Sequence, residues 1–158
     1  MSYLLQPLLR IRVMREDRAA GELTVARRAV AEAERKLEER KDELAEYERT
    51  KEERRERIYD AIIGRTVSRD RIDIANEGVA RIDEEGVLKA DNVARAEGEL
   101  RDREAAAEAA RVNFAVAMKN RMKIEEHKSV WMADEADEQE RRGLTLLSPV
   151  CRDPAIGV

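Results

Sequence analysis

Leu23, Val30, Leu37 and Leu44 recur at intervals of seven without exception. The same frame reaches backward to Glu16 and Leu9 and forward to Lys51 and Ile58, and a second series follows three residues behind: Ala19, Ala26, Ala33, Arg40, Tyr47, Arg54 and Ala61. A sustained repeat of seven keeps one narrow apolar seam turned toward a partner helix. No proline interrupts residues 8 to 148, and the intervening residues are strong helix formers. The repeat therefore predicts one long helix over residues 8–63, after a lead-in of residues 1–7.

The second half carries its own seam. Val79, Gly86, Val93, Leu100, Ala107, Phe114, Arg121 and Lys128 form one series, with Ile82, Lys89, Ala96, Arg103, Ala110, Ala117, Ile124 and Trp131 beside it. Residues 64–70, GRTVSRD, separate the halves; Gly64 suits a helix C-terminus, and Ser68 or Asp70 suits the next N-terminus. A second helix is expected over 71–142, with a break or fraying within 72–88, where Gly78 and Gly86 each weaken it by about 1 kcal/mol relative to alanine. Folding back at the turn sets Ile58 against Val79, Leu44 against Val93, Leu37 against Leu100, Leu23 against Phe114, and Glu16 against Arg121. The expected fold is all-α: a long antiparallel two-helix coiled-coil hairpin with irregular termini, monomeric when free and roughly 90–100 Å long at ~1.5 Å per residue. Residues 143–158, with two prolines and no helical period, read as a mobile tail.

Composition supports this reading and narrows function. Charged residues make up 42% of the chain and aromatics 3%, the balance of a long helix rather than of a globular core. The lone Cys151 excludes an intrachain disulfide and suits a reducing cytosol. Gln6, Pro7 and Arg10 interrupt the apolar start, so neither a signal peptide nor a membrane span is expected. The net charge of −4 varies in sign along the chain and makes no dense basic face, and no stacking aromatics accompany the arginines, so nucleic acid is not an expected partner. No glycine-rich phosphate loop occurs, serines lack a histidine at a recognisable interval, and one histidine cannot build a metal cluster. No catalytic, cofactor-binding or metal residue is assigned, and the chain is not expected to be an enzyme.

The remaining signals are points of contact. Arg10, Arg12, Arg15 and Arg18 gather at the expected open end, and Tyr47, Arg54, Arg55 and Tyr59 lie toward the turn. The only histidine and the only tryptophan, His127 and Trp131, sit four apart beside Lys128. The pairing places Trp131 opposite residue 6 and His127 opposite residue 10, so Trp131 is expected to plug the last seam layer against Leu5, Leu8 and Leu9. All eleven are candidate partner-binding residues.

The same two segments carry a resemblance. Tyr3, Leu5, Pro7, Leu9, Ile11, Arg15, Asp17, Arg18 and Ala19, in YLLQPLLRIRVMREDRA, resemble the N-terminal signature of the YscO group, and His127, Lys128, Trp131 and Met132, in HKSVWM, resemble its C-terminal one. That group comprises central stalk proteins of bacterial type III secretion, related to the flagellar export protein FliJ. The apolar tail after Gly143 departs from the charged tails of the group. The resemblance implies a cytoplasmic hairpin, peripheral to the secretion apparatus at the inner membrane. It implies seating in a hexameric secretion ATPase, a link to an export-gate membrane protein, and contact with secretion chaperones. A general coiled-coil scaffold or tether, and a chaperone-like adaptor, are the alternative functions for the same seam.

Overall fold

A computed structural model describes residues 3–146 of the chain. Two helices account for nearly all of them: α1, Gln6–Asp60, and α2, Arg69–Leu146. They pack against each other as an all-α helical hairpin, and no strand occurs among the described residues. The described residues divide into a terminal unit, 3–20 with 113–146, and a turn unit, Gly21–Val112.

In the turn unit the buried apolar side chains are Leu23, Ala33, Leu37, Tyr47, Ala75, Val79, Ile82 and Ala96. All lie on the two seven-residue series or, for Ala75, one step before them. Ala61 and Arg103 depart from the pattern and are exposed. Ala61 falls beyond the end of α1, and the Arg103 guanidinium is carried out to water on its long stem. The seam is thin: among the described residues no large side chain is fully buried. Stability must come from many shallow layers rather than a deep core. Across the layers run ion pairs, Lys36 with Glu99 at 2.8 Å and Arg54 with Glu85 at 2.7 Å.

The expected break within 72–88 is absent, because α2 runs unbroken from Arg69 through this stretch. The glycines there are sites of close approach. A Cβ on Gly78 would stand 3.2 Å from Cδ1 of Ile58, and one on Gly86 would stand 2.8 Å from Cε1 of Tyr47. Glycine's cost in helix propensity is offset by the larger side chain it admits.

The first helix starts two residues earlier than residue 8 and ends three earlier than residue 63. The amides of Ile62 and Ile63 both donate to the Tyr59 carbonyl at 2.9 Å, the first across three residues and the second across four, so the last turn tightens beyond the end of α1. Gly64 then adopts φ 74°, the left-handed conformation that glycine takes without steric cost. Ser68 immediately precedes α2, and its carbonyl accepts from the amides of Arg71 and Ile72. Asp70 lies in the first turn, where a carboxylate interacts favourably with the helix dipole. The second helix also passes the expected stop at Gly143, which has no positive φ, and continues to Leu146. The tail expected over 143–158 lies, from residue 147 on, outside the described residues.

Candidate functional site

In the terminal unit the tryptophan and the histidine do meet a residue of the N-terminal segment, but it is Tyr3. The Gln6 amide donates to the Tyr3 carbonyl at 3.1 Å, closing a turn just before α1. This turn folds Tyr3 back over α2, where it is buried to 6% exposure. Its ring centroid lies 5.8 Å from that of His127 and 5.4 Å from that of Trp131, both in tilted arrangements. Such offset aromatic pairs add about 0.5–1.5 kcal/mol each beyond area burial. The Tyr3 hydroxyl and Nδ1 of His127 share a hydrogen bond of 2.8 Å, and the Ile124 carbonyl is 3.5 Å from the same hydroxyl. One aromatic that precedes the helix thus sits against both rings, beyond the positions 6 and 10 that the seam register pairs with them. A helical repeat cannot register a residue that lies outside the helix. The scarcity of aromatics was the available signal, since Tyr3 is one of only three tyrosines.

Further along the unit, Glu16 meets Arg121 as the seam alignment predicts, and Arg121 also reaches Glu125. These two carboxylates raise the Arg121 pKa, the hydrogen bond to Glu16 contributing most. Arg12 lies one seven-residue step before Ala19, so it occupies a seam position and is half-buried. Its Nε is buried with no hydrogen-bond partner among the described residues. Arg10, Arg15 and Arg18 are exposed, as is His127, whereas Lys128 and Trp131 are half-buried. The structure thus gathers the N-terminal arginines with the aromatic cluster in one unit.

Near the turn, three of the four candidates make contacts with the other helix. Tyr47, expected to face a partner, is buried at 4% exposure: its hydroxyl donates to the Ile82 carbonyl and its ring fills the space over Gly86. The Arg54 guanidinium carbon lies 5.7 Å from the centre of that ring, a cation–π distance, while its Nη2 donates to Glu85. That hydrogen bond is the main reason the Glu85 pKa is lowered from its ordinary value. Arg55 approaches Glu52 at 3.4 Å and Asp83 at 3.9 Å. Tyr59 is half-buried at the close of α1. Among the described residues, no group of three or more His, Cys, Asp or Glu side chains is placed to hold a metal ion. No described helix is long and apolar enough to cross a membrane.

A two-helix hairpin with a shallow seam, lateral ion pairs and an aromatic clasp belongs to the class of all-α helical hairpins. The family model described as type III secretion protein YscO matches residues 5–143, so the chain belongs to that family and is a type III secretion component. A solved structure described as a candidate YscO homologue, CT670 from Chlamydia trachomatis, superposes with a TM-score of 0.72 at 22% identity. The alignment covers 92% of this chain and 89% of that one, and it shows a shared fold. Among curated proteins none matches.

Proposed function

We propose that the chain works without catalysis, as a stalk that binds the hexameric type III secretion ATPase, stimulates it, and links it to the export gate. Family membership over residues 5–143 is the observation that carries this reading. The terminal unit supplies its chemistry. Arg10, Arg15 and Arg18 are exposed on α1, and Arg12 holds a buried Nε without a partner. A desolvated donor without an acceptor costs about 1–3 kcal/mol, and a carboxylate supplied by an ATPase pore loop would recover it. Exposed ion pairs are individually weak, which suits contact with successive subunits of a ring. The setting is cytoplasmic, beside the apparatus at the inner membrane.

The test is titration of the purified chain into its cognate ATPase at low salt. Stimulated hydrolysis that is lost in the Arg10→Glu, Arg15→Glu double variant supports the reading, and neither binding nor stimulation by the unaltered chain refutes it. A chaperone-like adaptor is the second reading. It is favoured by the exposed Met14, Met122 and Met132 of the same unit, since methionine-rich surfaces adapt to varied partners. Binding of secretion chaperones by a chain that leaves ATPase turnover unchanged would select it.

A further inference from the structure

The turn unit carries a groove that the stalk reading does not use. It lies between the end of α1 and the start of α2, encloses roughly 590 Å³, and is walled by Ile58, Ile62, Ile74 and Ala75. Its volume falls within the ~300–1,000 Å³ of ordinary ligand clefts. Ile74 is 67% exposed, as is Ile63 nearby, in a chain whose seam has few large apolar side chains to spare. The only charged residues lining the groove are Arg65 and Arg71. Arg54, Arg55 and Arg57, a few residues earlier, each hold a carboxylate of this chain. Neither Arg65 nor Arg71 has a carboxylate within ion-pair distance among the described residues. The acids of the stretch, Asp60, Asp70, Asp73 and Glu77, are exposed and do not line the groove.

We propose that this groove is a docking site for an acidic amphipathic segment of a partner protein, one that lays apolar side chains on Ile58, Ile62 and Ile74 and sets flanking carboxylates against Arg65 and Arg71. Charge complementarity selects the occupant. A basic segment would leave both guanidiniums opposed by like charge, and an acidic one pairs each with a geometry that arginine recognises in two-pronged form. An apolar centre with a charged rim is the usual anatomy of such contacts. An anionic membrane is the poorer occupant, because four carboxylates of residues 58–78 outnumber the three arginines there and repel lipid phosphates.

The full chain is tested by fluorescence anisotropy against a labelled helical peptide of about 18 residues with leucine at positions i, i+3, i+4 and i+7, flanked by glutamate. The controls are the same peptide with lysine for glutamate and vesicles of mixed phosphatidylglycerol and phosphatidylcholine. Binding of the glutamate peptide alone is expected, weakened about tenfold or more by the Arg65→Glu, Arg71→Glu double variant and by Ile74→Asp. Ile74 is mostly exposed, so its replacement leaves the hairpin folded, which far-UV circular dichroism checks. In secreting cells, a photocrosslinker at position 74 should capture a partner peptide with carboxylates beside apolar residues. Equal binding of both peptides, preference for vesicles, or an adduct only to a second copy of this chain overturns the proposal.

Discussion

Gly86→Ala separates the two roles a glycine can have in a helix. Helix propensity alone makes the substitution stabilising by about 1 kcal/mol. The packing says otherwise. An added Cβ would stand 2.8 Å from Cε1, 3.0 Å from the hydroxyl and 3.2 Å from Cζ of Tyr47, all inside the 3.4–4 Å of ordinary contact. The ring cannot yield cheaply. Its hydroxyl is engaged with the Ile82 carbonyl, Arg54 lies against it, and it is buried. Overpacking costs about 1–3 kcal/mol and a lost buried hydrogen bond about 0.5–1.5, so the net is destabilisation by about 1–3 kcal/mol. Gly98→Ala is the control, because nothing lies within 4 Å of a Cβ there, and it should stabilise by up to about 1 kcal/mol. Thermal melts followed by circular dichroism should move in opposite directions, by about 2–4 °C per kcal/mol. In the Tyr47→Ala background Gly86→Ala should lose its penalty, giving a coupling energy of about 1 kcal/mol or more. If Gly86→Ala raises the melting temperature as Gly98→Ala does, with no coupling to Tyr47, the close-approach argument is wrong.

Tyr3→Ala should expose the indole, shift Trp131 fluorescence to the red, and speed hydrogen exchange near residues 5–15 and 120–135 while Leu23 to Leu44 stay protected, at a local cost of roughly 3 kcal/mol; Tyr3→Phe, which keeps the ring, should do much less. Leu37→Asp places a charge in the seam of the turn unit and should cost about 3 kcal/mol or more, read as lost helicity in a urea titration. Acid should also weaken the hairpin. Hydrogen bonds from Arg54 and Lys36 lower the pKa of Glu85 and Glu99 from the ordinary 4.5, so the unfolded chain takes up protons first as pH falls. Their contribution is complete above about pH 5 and is lost as pH drops through the lowered values, a slope that added salt and a Glu85→Gln, Glu99→Gln variant should both flatten.

Much of the fold was legible because a coiled-coil seam writes itself at fixed intervals. Leu23, Leu37, Val79, Ile82 and Ala96 are buried where the repeat requires, and Glu16 meets Arg121. Gly78 and Gly86 look like weak points to a local propensity, whereas the space they provide is filled by Ile58 and Tyr47 from the other helix. The site was less legible for a related reason. Seam periodicity marked Trp131, but Tyr3, which meets it, lies before α1 and is placed by a turn hydrogen bond and by its hydroxyl on His127. Tyr47 and Arg54 carry the chemistry of partner-binding residues, and only their surroundings show that the hairpin uses it internally.

The Tyr3 clasp also sets an order of events during synthesis. Tyr47 and Ile82 are 35 residues apart, whereas Tyr3 and His127 are separated by 124. Closing the longer loop directly from an open chain costs about 1 kcal/mol more in entropy, so the hairpin should zip outward from its turn. At about 5–20 residues per second, the ribosome needs several seconds to pass from Ile82 to Trp131. Throughout that interval Tyr3 waits without its mates His127 and Trp131, which makes the stretch before α1 one that a cellular chaperone would find.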